Sequence, residues 1–155
     1  MITRRAFMLF GVAGVAGAAA AGQKETFEVV HTDAEWKKLL TRGQYFVLRH
    51  EDTEFPWTSP LLKEKRKGLY ACVGCDLDLF SSDTKFESGT GWPSFWAPLE
   101  GAIRTKVDMS LDTQPRTAVF CRRCGGHQGH VFNDGPRPTG LRYCINGIAL
   151  KFKPA

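Results

Sequence analysis

Two C-x-x-C pairs standing far apart constrain this chain more than any other feature. Cys72 and Cys75 form the first pair and Cys121 and Cys124 the second. Four thiolates complete the coordination of a tetrahedral zinc ion and leave no open position, so such a site holds structure and does no chemistry. Gly74 lies inside the first pair and Gly125 directly after the second, which lets each tight turn aim two sulfurs at one ion. The forty-five residues between the pairs exceed the roughly 15–20 of a compact zinc ribbon. The two turns must therefore belong to different hairpins, and one metal, Cys72, Cys75, Cys121 and Cys124 around it, clamps distant parts of the fold. Two local disulfides, or a redox C-x-x-C, compete with this reading. A thioredoxin-type pair follows a strand and opens a helix, and neither pair here is placed that way.

The fifth cysteine, Cys144, stands alone in Leu141-Arg142-Tyr143-Cys144-Ile145-Asn146. Residues two apart in a strand share a face. Arg142, Cys144 and Asn146 are therefore expected to point one way, with the face continuing through Ile148, Leu150 and Phe152. Polar groups at one end of an otherwise apolar strand predict a pocket floor. An inert buried cysteine is the plain alternative, but a core strand has no need of the flanking Arg and Asn. Upstream, His127-Gln128-Gly129-His130 followed by Asp134 supplies proton donors that titrate near neutrality, as a nucleophilic thiol requires. A histidine replacing a cysteine on the metal is the structural alternative, and four cysteines already fill that site. Trp92, beside Gly91 and Pro93, is placed as a pocket wall, whereas Phe95 reads as core.

With 155 residues, 43% hydrophobic and 12% aromatic, the chain is one globular domain. Sixteen Gly and eight Pro suit a mainly β, turn-rich fold. The net charge of +5 falls to +3 once Arg4 and Arg5 are set aside with the leader. Lys63, Lys65, Arg66 and Lys67 are the only tight basic cluster, which reads as a solvated turn and not as a nucleic-acid footprint. Residues 1–22 read as a signal peptide: Arg4-Arg5, an apolar stretch from Ala6, then small residues. Thr3-Arg4-Arg5-Ala6-Phe7 resembles a twin-arginine export signal, with an uncleaved membrane anchor as the alternative. Such signals export folded proteins, so the metal could load before the chain meets an oxidising periplasm.

Residues 23–31 read as a linker and 32–155 as the working domain. Thr32-Asp33-Ala34-Glu35 is a capping box that predicts a helix to about Arg42, ended by Gly43. Tyr45–Arg49 reads as a strand and 51–61 as an irregular loop. Strands are expected around Leu69–Ala71, Leu77–Phe80, Ala118–Phe120 and, longest, Leu141–Phe152.

Three ordered motifs resemble the peptide methionine-R-sulfoxide reductases: Gly89-Thr90-Gly91-Trp92-Pro93-Ser94-Phe95, the run from His127 to Pro136, and Gly140 to Asn146. The likeness runs from about Thr32 to Lys153. It implies a β-tent of two antiparallel sheets with a short N-terminal helix and a four-cysteine zinc clamp. It implies reduction of the R epimer of methionine sulfoxide in peptides, with Cys144 as nucleophile. His127, His130 and Asp134 would position and protonate the sulfoxide oxygen, Arg142 and Asn146 would orient the thiol, and Trp92 and Phe132 would bind substrate. The implied partners are oxidised proteins or peptides and a thioredoxin-like or other thiol reductant, with the chain a monomer. Many relatives carry a cysteine where this chain has Thr90, and there it resolves the sulfenic acid as a disulfide. With no sixth cysteine, a one-cysteine enzyme regenerated by an external thiol is expected. Gln128 and Gly147, where relatives more often carry Leu and Ser, are milder departures.

Two other function classes compete. A zinc-stapled binding module would use the basic cluster on an acidic partner, bind with steep salt dependence and ignore loss of Cys144. A general thiol–disulfide oxidoreductase would need two reactive cysteines in one motif.

Overall fold

The structure, a computed structural model, describes residues 26–111 and 114–155; the leader expected at 1–22 lies outside them. The capping box forms as expected: Thr32 Oγ1 accepts from the Glu35 amide at 3.3 Å and Glu35 Oε2 from the Thr32 amide at 2.7 Å. It starts α1, Asp33–Leu39. The chain then departs from expectation, because Thr41 and Gln44 make a second capping box and open α2, Arg42–His50. The expected strand at Tyr45–Arg49 is therefore helix, and the N-terminal part holds two short helices where one was expected. Tyr45, Val47 and Leu48 turn inward, and Phe46 and His50 outward. Gly43 does not end a helix. It sits in the first turn of α2, where a Cβ would lie 2.7 Å from Ile148 Cδ1, so it is small because a neighbour is close.

Among the described residues, nine strands form two antiparallel sheets. The smaller has the order β2-β1-β9, from Gly68–Cys72 (β1), Asp78–Ser81 (β2) and Leu150–Pro154 (β9). The larger runs β3-β4-β8-β7-β6-β5. Its strands are Lys85–Phe86 (β3), Ser94–Phe95 (β4), Ile103–Asp108 (β5), Arg116–Cys121 (β6), His127–Phe132 (β7) and Arg142–Ile145 (β8). The mainly β fold of two antiparallel sheets is thus the one expected. Aromatic rings lock the sheets together: Phe80 of β2 stacks on Phe95 of β4 at 4.4 Å, and Tyr70 of β1 meets Phe95 edge-on at 5.0 Å. Such pairs add about 0.5–1.5 kcal/mol beyond the area they bury.

The single long strand expected over Leu141–Phe152 is instead two strands in different sheets. β8 ends at Ile145, a 3-10 turn occupies Gly147–Ala149, and β9 starts at Leu150. The shared face therefore does not run on through Ile148, Leu150 and Phe152. The break has a cause far away in sequence. The Glu54 carboxylate accepts from the amides of Gly147 and Ile148, the latter at 3.1 Å, and so takes these N–H groups out of any ladder. Gly147 also passes so close to Ser59 that a Cβ there would fall 1.9 Å from its Oγ.

Candidate active site and metal clamp

The clamp is where spacing required it to be. Cys72 and Cys75 bracket the turn between β1 and β2, Cys121 and Cys124 the turn between β6 and β7. One pair thus comes from each sheet. The four sulfurs lie within 4.8 Å of one another, with Cys72–Cys124 at 3.7 Å and Cys75–Cys121 at 3.4 Å. Four sulfurs at the usual Zn–S distance of about 2.3 Å stand roughly 3.8 Å apart in a tetrahedron, so the residues present fit a metal ion. All four cysteines are free of disulfides. The sulfurs of Cys121, Cys124 and Cys75, with burial behind them, push the Cys72 thiol up; a cation is what would let four such thiolates coexist. Arg49 donates to the Cys124 carbonyl at 3.1 Å and Arg123 to that of Cys75 at 3.3 Å.

Cys144 sits half-buried on β8. It faces a cleft of about 120 Å³ lined by Thr53, Trp92, Arg116, His130, Phe132 and Asn146 among others. Burial holds its thiol above the ordinary range, and the Thr90 hydroxyl, Arg142 and the Ser94 hydroxyl oppose that rise without cancelling it. Of the residues expected at the site, Trp92, Phe132, His130, Cys144 and Asn146 line the cleft together. Arg142 lies beside it, its guanidinium 4.4 Å from the Phe132 ring centroid and bidentate to the exposed Asp134 at 2.8 and 2.9 Å. Arg142 lowers the Asp134 carboxyl, and Asp134 does not line the cleft.

The two histidines separate sharply. His127 is fully buried, neither ring nitrogen has a hydrogen-bond partner among the described residues, and it borders a neighbouring cavity with Arg49, His50 and Asp108. Burial, with His130 nearby, pushes it down to about 4. His130 lines the Cys144 cleft, and its Nε2 pairs with Asp108 Oδ2 at 2.8 Å. Burial lowers His130 as well, but the carboxylate opposes that fall. The Ser110 amide, the Ser110 hydroxyl and His130 hold Asp108 below the carboxylate range, and Arg116 Nη2 donates to it at 2.6 Å. Asp108 and Arg116 were not legible as site residues, since neither belongs to a motif containing Cys144.

Glu54, which belongs to none of the motifs, organises the site. Its carboxylate caps the turn after β8, its amide donates to Asn146 Oδ1 at 3.0 Å, and its carbonyl accepts from Trp92 Nε1 at 3.0 Å. One residue of the loop before β1 thus fixes both a wall and the floor of the cleft. Asn146 Nδ2 in turn donates to the Gln128 carbonyl at 3.1 Å, and the Asn146 amide to the same oxygen at 2.8 Å. The Gln128 side chain is fully buried on the clamp side, donating to the Gly126 carbonyl at 3.1 Å and towards Cys72 Sγ at 3.5 Å. Gln128 therefore links the four-cysteine cluster to the cleft, and it does not line the cleft. Glu54→Ala orphans two amides, at about 1–3 kcal/mol for each buried one. It is expected to lower unfolding free energy by about 2–4 kcal/mol in urea titration, with Glu54→Gln recovering part; unchanged stability would show that the Glu54 carboxylate does not hold the turn after β8.

A family model described as the SelR domain matches residues 40–154. The peptide methionine sulfoxide reductase MsrB of Leptospira interrogans (strain 56601) is 54% identical over 127 residues, covering 82% of this chain and 97% of its own length. That of Methanosarcina barkeri is 54% identical over 126 residues, covering 81% and 88%. That of Agrobacterium fabrum is 50% identical over 127 residues, covering 82% and 94%.

Proposed function

The chain belongs to the SelR-domain family, and from that membership and the cleft we propose that it is a peptide-methionine (R)-S-oxide reductase. The observation that carries the reading is the division of the cysteines. Four are gathered into one cluster, and the fifth opens on a cleft between an indole, a phenyl ring and an imidazole. The apolar faces of Trp92 and Phe132 suit a thioether methyl, which has no hydrogen bond to offer. His130 suits the sulfoxide oxygen.

Attack by the Cys144 sulfur on the sulfoxide sulfur stalls unless the oxygen is protonated. His130 is better equipped for that than His127, because it borders the cleft and carries the Asp108 carboxylate that favours its imidazolium. Arg142 and Asn146 steady the sulfur from its own strand and the turn after it, and Asp134 acts through Arg142. The sulfoxide oxygen passes to Cys144, methionine leaves, and the thiol becomes a sulfenic acid. Two external thiols then return it to the thiol, releasing water and a disulfide. No second cysteine stands beside Cys144; Thr90 occupies that place, its hydroxyl 3.7 Å from the sulfur. Zinc is the proposed metal, held by Cys72, Cys75, Cys121 and Cys124, and it supplies folding free energy only. The reading of residues 1–22 as a leader supports action in the periplasm on oxidised exported proteins; that the chain works as a monomer is a separate part of the proposal.

Intact-mass and peptide analysis after one addition of R-sulfoxide without reductant tests the one-cysteine route. The expected product is a trappable sulfenic acid on Cys144. A disulfide from Cys144 to a clamp cysteine would overturn it.

A further inference from the structure

Behind the Cys144 sulfur the structure holds an unbroken line of hydroxyls. Thr90 Oγ1 lies 3.7 Å from Cys144 Sγ, Ser88 Oγ lies 2.8 Å from Thr90 Oγ1, and Ser94 Oγ lies 2.7 Å from Ser88 Oγ. Ser94 stands directly across from Cys144 in the β4–β8 ladder and is buried; its hydroxyl is also 3.2 Å from the Trp92 carbonyl. The Thr90 amide donates to Ser88 Oγ at 3.4 Å.

Each hydroxyl has one proton to donate and two lone pairs, and that inventory closes in two ways. With a neutral thiol, Cys144 donates to Thr90, Thr90 to Ser88, Ser88 to Ser94, and Ser94 to the Trp92 carbonyl. With a thiolate, every hydroxyl turns round: Ser94 donates to Ser88, Ser88 to Thr90, and Thr90 to the sulfur. Ser88 keeps one donor and two acceptor contacts in both. The line cannot carry a proton away, because it ends on a carbonyl beside a buried serine; the thiol proton leaves to the cleft. What reverses is the polarity, and aligned hydroxyls strengthen one another.

Resting on the proposed function, which makes Cys144 the nucleophile, we infer that the Thr90–Ser88–Ser94 hydroxyl chain is a reversible device that stabilises the Cys144 thiolate. Thr90 is a catalytic residue, since it touches the reacting sulfur; Ser88 is a positioning residue that acts through it, and Ser94, across the ladder from Cys144, anchors the far end of the line and also acts on the sulfur directly. The charged groups around the sulfur are Arg142 on β8, His130 opposite on β7, and Arg116 across the cleft, with Asp134 paired to Arg142 and Asp108 to His130. None of them touches the hydroxyl line, so changing it leaves their charges in place.

The test is the pH dependence of Cys144 alkylation by iodoacetamide in the full chain, followed by peptide mass, for wild type, Thr90→Val, Thr90→Ser, Ser88→Ala and the Ser88→Ala/Thr90→Val pair. A hydrogen bond to a charged group is worth about tenfold in an ionisation equilibrium. Thr90→Val is expected to alkylate about tenfold more slowly below the thiol's midpoint and to shift that midpoint upwards, while Thr90→Ser restores wild-type behaviour. Ser88→Ala should slow alkylation less, and not at all once Thr90 is Val. A wild-type midpoint in Thr90→Val, or an equal effect of Ser88→Ala in both backgrounds, overturns the chain. Wild-type turnover of R-sulfoxide is measured alongside: its absence, with the midpoint shift present, defeats the proposed function and not the hydroxyl chain.

Discussion

Serine in place of Cys144 is expected to abolish reduction of methionine-R-sulfoxide, a loss of at least about a thousandfold in kcat/KM, while leaving the fold and the metal untouched. A hydroxyl has neither the nucleophilicity of a thiol nor a stable oxidised state to receive the oxygen. The residue is half-buried in a cleft wall and belongs to neither metal-binding turn, so a one-atom change there removes chemistry without removing packing. Steady-state turnover, melting temperature and metal content on the same preparation check the three parts together. A variant that still reduces the sulfoxide would remove Cys144 from the role of nucleophile.

Cys72→Ser is expected to do the opposite: to unfold the protein before any question of catalysis arises. Closing a four-thiolate zinc site contributes on the order of 10 kcal/mol of apparent folding free energy, comparable with the whole stability of a domain this size. Here the ion would join the turn between β1 and β2 to the turn between β6 and β7, and so one sheet to the other. The consequences reach the cleft, since Gln128 touches both Cys72 and, through its carbonyl, Asn146. Loss of bound metal, a melting temperature lowered by tens of degrees, and activity lost only in proportion to unfolding are the expected results of Cys72→Ser or of strong chelation. Melting at the wild-type temperature without metal would show that the two sheets need no clamp.

What could be read from the chain was whatever is written locally. The two C-x-x-C turns, the Thr32 capping box and the strand patterns around Tyr70, Phe80 and Val119 all depend on neighbours within a few residues, and all appear in the structure. The second helix was also written locally, in Thr41 and Gln44. The run Tyr45-Phe46-Val47-Leu48 nonetheless has the composition of a strand, which masks that capping box. The break after Ile145 was not written locally at all. Ile148, Leu150 and Phe152 alternate as a strand should, and the carboxylate that ends the strand comes from Glu54, more than ninety residues earlier. Asp108 likewise reaches His130 from another strand, 22 residues away. Such partners are set by register and topology, which no window of sequence contains. The separation of His127 from His130 is a further case: spacing makes them equivalent, and only burial tells which one meets the cleft.

Turnover of the separated sulfoxide epimers tests the central claim most directly. The purified chain, supplied with a small dithiol as reductant, is incubated with the R and the S forms of a blocked methionine sulfoxide, and methionine is quantified. The account predicts reduction of the R epimer alone, lost in Cys144→Ser. Reduction of the S epimer, or of neither by a folded, metal-bearing protein, would contradict it.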